Sequence, residues 1–434
     1  MHVDISTYPD DNFFTHYFNF IGYPHNTEAS LVSHRWCAIS LLGTLLGRNF
    51  TFPFGFSEIL PNQYIQIIGV PAARKSTAIK QAKGLLKLTG FTNFAPEKIS
   101  LERFLMDLHE LTWGTEEEQA KATEFDLEDN IFGVVNPKES AELMPVAEYF
   151  IASDEFVDFI GRNNIDFISL LGSFWDYKGV FDRKLKHSKT IYANNPTINI
   201  IAGNTHEGFS MAFPPEMQGQ GFFSRLLLIH AEPTGRKIAF PSPPSEECLS
   251  NVLAYLMDIK LKCTGSASIT EEAKLLCKDI YERGEGNLSD SRFQQYNGRR
   301  YQHMMKLSLI MAAARQSKII NTCDVVMANT ILTFAEYSMP KAIGFFGKGK
   351  NSAVIHKVAE IINNSEGCTM KDIIKYVQQD LDNISMLGDL INSLKAADKI
   401  QIHEGKFYPK SERRILADTN TVKPSWIFPE ERRY

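Results

Sequence analysis

Lys75, Ser76 and Thr77 close the stretch YIQIIGVPAARKST, after an isoleucine-rich run and before a helical pattern. Polyphosphate is held by backbone N–H groups at a helix N-terminus, with a lysine near the outer phosphates and a hydroxyl on magnesium. Gly69, Lys75 and Ser76 have the spacing for those three tasks. The departure is Arg74, which stands where the pattern asks for glycine. A side chain there restricts torsion angles that glycine allows, and its guanidinium either adds a phosphate contact or fills the pocket. Two readings stand, a site for ATP and Mg2+ or a lysine-bearing turn of no special purpose.

Three later positions suit the same chemistry. In YFIASDEF an apolar run ends at Asp154-Glu155, an order in which the aspartate holds magnesium and the glutamate polarises an attacking water. A pair of acids at a helix start is the plainer reading. NPTINIIAGNT ends at Asn204 and Thr205, where a polar side chain can meet the γ-phosphate, and a turn-forming asparagine is the alternative. Arg225 in GQGFFSRLLLIH is either a surface ion-pair partner or an arginine that reaches into a neighbouring subunit's site. Between these segments lies WDYKGVFDRKLKHSKTIYANNP, with Arg183, Lys184, Lys186 and Lys189 beside aromatic residues. A basic, aromatic loop grips a phosphate backbone, while a solvated hairpin explains the lysines equally well.

The elements needed to position these groups follow from periodicity. Helical spacing runs from about Thr27 to Gly47 and again from Ser76 to Leu88. YIQIIGV, AEYFIASDEF, PTINIIAGN and GFFSRLLLIHAE are apolar runs ending in polar residues, as in the strands of a parallel sheet. The fold class expected is therefore α/β. The segments are a helical region over 1–60, an ATPase core over 61–245, a helical lid over 246–345, a winged helix-turn-helix over 350–410 and a tail over 411–434. The acidic stretch from Gly114 to Asn130 is an expected insertion, FPSPPSEE a break, and GFFGKGKNSA a joint. Three helical patterns and two short strands around Glu404-Gly405 outline the winged helix, whose charges are nearly balanced.

Composition excludes several classes. At 434 residues with 44% hydrophobic and 22% charged content, the chain has material for two or three globular domains. Its longest apolar run, Trp36 to Gly47, is too short to span a bilayer, and the N-terminus lacks a secretory pattern, so a cytoplasmic location is expected. Six cysteines without a close pair are expected to be reduced packing residues. A net charge of -5 means that any nucleic-acid contact must be local.

From about Ser30 to Arg315 the chain resembles the helicase-like, primase-helicase type P-loop ATPases of phages, prophages and plasmids, in the AAA+ superfamily. LPNQYIQIIGVPAARKSTAI, FIASDEF, NPTINIIAGNTHEGF and GQGFFSRLLLIHAE carry the resemblance. It implies phosphate and magnesium binding by Lys75 and Ser76, Asp154 and Glu155 as metal-linked and catalytic acids, Asn204 as a sensor and Arg225 as an arginine finger. Arg299 or Arg300 would by position be a second sensor arginine, with a structural ion pair as the plainer reading. The resemblance also implies a homo-oligomer in the form of a hexameric ring, a single-stranded DNA partner, a separate primase or initiator, and a bacterial host cytoplasm if the gene is phage-borne. Two other readings stand beside this motor: a replication initiator or helicase loader with a regulatory nucleotide site, and a scaffold with a vacant one.

Overall fold

A computed structural model of the protein describes residues 8–115, 137–185, 190–213, 221–284, 288 and 290–344 and, with short gaps, 354–409. The acidic stretch beyond Thr115, the joint at 345–353, the tail 411–434, Lys186 and Lys189 lie outside the described residues. The chain is a mixed α/β protein built on a parallel sheet.

Strand β1 (Phe50–Phe54) and strand β2 (Ser57–Ile59) form an antiparallel hairpin. This differs from the helical region expected through residue 60. Aromatic residues alternate through Phe50, Phe52 and Phe54, and Gly55 turns the chain at φ 61°. Before the hairpin, the helix Leu31–Leu46 begins four residues later than Thr27 because the Ser30 side chain accepts from the Ser33 N–H. Thr27 bonds His34 Nε2 instead, at 2.9 Å.

The central sheet joins β3 (Tyr64–Ile68), β4 (Glu148–Ser153), β7 (Thr197–Asn204) and β8 (Leu226–His230). Its order is β4-β7-β3-β8, and every neighbouring pair is parallel. The strands are apolar and buried along their length, as strands covered on both faces must be. A parallel bridge from Phe94 to Phe150 extends the β4 edge. Between β4 and β7, the strands β5 (Val180–Lys184) and β6 (Thr190–Asn194) form the expected hairpin just before β7.

Register fixes the two edges of the sheet. Ile68 lies opposite Asn204 and His230, so these residues share the carboxyl edge. Tyr64 lies opposite Leu226, so Arg225 belongs to the amino edge. At about 3.3 Å per residue, five residues of β3 separate the edges by roughly 15 Å.

The helices expected as a lid do not pack apart. Glu246–Lys262, Glu271–Glu282, Arg300–Ala314 and Thr322–Ile343 bury side chains in the same hydrophobic cluster as the sheet and the N-terminal helices. A second cluster, from Val354 to Phe407, belongs to the C-terminal part. There the helices Met370–Val377 and Ile384–Ala396 precede an antiparallel pair, Ile400–His403 and Lys406–Pro409. Its turn is Glu404-Gly405, both with positive φ, as a two-residue hairpin turn requires.

Candidate active site at the carboxyl edge of the sheet

β3 ends at the point where its neighbours on either side are later strands, the crevice position favoured for ligands in open α/β sheets. Gly69 leaves the strand there. A Cβ on Gly69 would stand 2.0 Å from the Ala231 carbonyl oxygen, and one on Gly203 would stand 2.4 Å from that of Asp154. Neither position tolerates a side chain, because backbone approaches backbone at both.

The loop then runs through Ala72 and Arg74, both left-handed, into the helix Lys75–Leu88. Arg74 itself takes the conformation that glycine would supply, at φ 56° and ψ 25°. Its guanidinium is anchored to Glu28 at 2.7 Å, and Glu28 also accepts from the Ile238 N–H at 2.9 Å. The substitution that raised doubt in the sequence is thus accommodated by torsion and by an outer partner. No side chain caps this helix, so its first amides keep their donors for an anion.

Lys75 is buried, and its Nζ donates to the carbonyls of Gly69 at 2.9 Å and Val70 at 3.0 Å. Burial lowers its pKa, and the charge of Glu155 opposes that shift. Ser76 is half-buried in the first helical turn and Thr77 is exposed. Both hydroxyls sit on the helix that Lys75 opens.

Asp154 and Glu155 follow β4. Burial raises the Glu155 carboxyl, against the pull of Lys75 and of the Thr205 N–H that it accepts from. The point a Gly208 Cβ would occupy is 3.2 Å from Glu155 Oε2 and 3.8 Å from Asn204 Oδ1, so acid and amide share one corner. Asn204 is fully buried and its Nδ2 donates to Gln66 Oε1 at 2.6 Å, while Oδ1 has no partner. Asp154 pairs with Lys80 at 2.6 Å. A metal-linked role for Asp154 therefore requires Lys80 to swing aside, and both side chains have the solvent access to allow it.

The structure thus gathers Gly69, Lys75, Ser76, Glu155 and Asn204 at one edge. It sends Arg225 to the opposite edge, where its guanidinium bonds the Gly221 carbonyl and lies 6.0 Å from the Trp175 ring centre. Arg299 and Arg300 do not join the phosphate loop either, and for Arg300 the structural ion pair is the reading that the fold supports. Arg299 lies over the same Trp175, at 5.6 Å. Arg300 is buried against Glu336 at 2.6 Å and against Asn329 at 2.9 Å, so its charge is consumed in packing two helices. Arg183 and Lys184 are exposed on β5.

Glu28, Gln66 and Lys80 were missed by the sequence reading. Glu28 is far from the loop in sequence, whereas Lys80 falls on the exposed face of the loop helix and Gln66 interrupts an apolar strand, a signal that a buried amide has a partner. Among the described residues, no group of three or more His, Cys, Asp or Glu is placed to hold a metal by itself. No described helix is long and apolar enough to cross a membrane. No protein-family model matches the chain, and comparison with curated proteins finds no significant relative.

Proposed function

We propose that the chain is an ATPase of the AAA+ type that works as a ring-forming motor on single-stranded DNA, in the manner of a replicative helicase of a phage or mobile element. The observation that carries this reading is the convergence of Lys75, Glu155 and Asn204 on an uncapped helix N-terminus at the carboxyl edge of the sheet. Phosphates fit the open amides and the Lys75 ammonium. Ser76 and Asp154 would hold magnesium, which would supply charge neutralisation for phosphoryl transfer. Glu155 lies where it can orient and deprotonate a water, and the unpartnered Oδ1 of Asn204 can accept from that water.

Arg225 sits roughly 15 Å from the loop in its own subunit, measured along the strands. It serves the site only from a neighbour, which is the reason for proposing a ring. The β5–β6 hairpin with Arg183 and Lys184, and the C-terminal helices and hairpin read as a winged helix, are the proposed DNA contacts. Priming would come from a separate protein.

The Lys80–Asp154 pair favours a second reading, an initiator or loader whose site binds nucleotide without efficient turnover. Subunit mixing separates the two. Glu155→Gln and Arg225→Ala each remove one half of a shared site, so each alone should hydrolyse ATP on the order of 10³-fold more slowly. Mixed, they form some boundaries with an intact half on each side, and activity should return. Absence of recovery, or a normal rate from Arg225→Ala alone, would sink the shared site.

A further inference from the structure

On the Arg225 side of the molecule lies an open cleft of about 990 Å³, away from the phosphate loop. That volume is at the upper end for small-molecule sites. One wall is the β1–β2 hairpin, which presents Phe52 and Phe54. The opposite wall is the helix Glu271–Glu282, whose Lys274, Lys278 and Tyr281 fall at helical spacing on one face. Tyr301 closes the floor, with its ring centre 4.9 Å from that of Tyr281 and 6.2 Å from that of Phe54.

Phe52 and Tyr301 pack partly against the core, but two of the cleft's aromatic faces remain open. Phe54 is 36% exposed, Tyr281 is 65% exposed, and Phe56 projects fully into solvent at the hairpin tip. Exposed aromatic groups clustered at a cleft mark a binding surface rather than a packing remainder. Arg299 lines the inner end beside Arg225, and its guanidinium donates to Gln302 Oε1 at 3.0 Å. At the rim, Lys274 pairs with Glu271 and Lys278 with Glu282, exposed pairs that an incoming anion readily displaces.

Flat aromatic faces flanked by cations suit a base that carries a phosphate, since bases stack and phosphates seek the guanidinium and ammonium groups. We infer that this cleft is a second nucleotide-binding site, taking a base-plus-phosphate unit from a single strand or as a free nucleotide, independently of the phosphate loop.

The test uses the full chain and two probes, fluorescein-labelled dT12 and dTMP as its competitor, with binding read by anisotropy. Phe54→Ala and the double variant Lys274→Glu/Lys278→Glu alter half-exposed or rim positions, and unchanged thermal melting verifies their folds. Each should weaken dT12 about tenfold or more, as loss of a stacked base does elsewhere. Lys75→Ala should leave that affinity unchanged, and Arg183→Glu should not alter dTMP binding, which separates the cleft from the loop and from the hairpin. Strong dT12 binding with weak dTMP competition identifies a strand as the source, and equal affinities per site identify a free nucleotide. Wild-type affinity in both cleft variants, a change confined to subunit association, or no binding of either probe to the wild type would overturn the inference.

Discussion

Replacing Arg74 with glycine tests whether the loop is compatible with its departure from the phosphate-loop pattern. At φ 56° and ψ 25° Arg74 occupies the left-handed region, which costs a side-chain-bearing residue about 1–2 kcal/mol. Glycine removes that cost but brings about 0.5–1 kcal/mol of extra unfolded-state freedom. The balance favours glycine by up to ~1.5 kcal/mol. Against it stands loss of the Glu28 contact, in which the arginine side chain is 53% exposed, so little stability is lost. Glu28 stays held by the Ile238 N–H. Arg74→Gly should therefore melt at or a few degrees above the wild type, and Arg74→Ala below both, because alanine keeps the torsion and loses the partner. ATP hydrolysis should persist in the glycine variant. A melting order with alanine above glycine, or hydrolysis abolished by Arg74→Gly, would refute this account of the loop.

Other expectations follow from the same structure. Arg300→Met should destabilise by about 3–5 kcal/mol in denaturant titration, because it strands a buried Glu336, and Arg300→Met/Glu336→Leu should recover most of the loss. Burial pushes His34 down to about 3 and His303 to about 4, whereas in the unfolded chain each takes a proton near 6.5. The folded form binds fewer protons in that window, so the stability present at pH 7 should fall as pH drops from 6.5 towards 4, with a flatter melting-temperature profile in His303→Gln. Of the six thiols, Cys248 is half-buried and the other five are buried, with Cys263 raised to about 11 and Cys277 to about 12 by burial. Titration of the native protein with a disulfide reagent should show one fast-reacting thiol, lost in Cys248→Ser.

The parallel sheet was legible because its strands are unbroken apolar runs that end at polar residues, and Asn204 marks one such end. The 50–59 hairpin was not, because helical spacing upstream masked a short aromatic alternation around Gly55. The helices beyond Glu246 were visible as helices, yet periodicity does not say what a buried face packs against: Thr322–Ile343 packs on the sheet, whereas Glu246–Lys262 packs on the helix Phe13–Phe20. At the candidate site, local order singled out Lys75 and Glu155, which the fold brings to one edge of the sheet. Long-range partners such as Glu28 for Arg74 and Glu336 for Arg300 have no local signature. They decide whether an arginine is available for chemistry, and position alone left Arg300 open between a sensor and the ion pair that the fold gives it.

The most direct measurement is steady-state ATP hydrolysis by the wild type and by Lys75→Ala, each with and without single-stranded DNA. Lys75 holds the centre of the loop through the Gly69 and Val70 carbonyls. Hydrolysis that rises with DNA in the wild type and vanishes in Lys75→Ala is the result expected of a DNA-stimulated motor. Equal rates in the two proteins, or a wild type that neither binds nor hydrolyses ATP, would contradict the assignment of this loop as the working site.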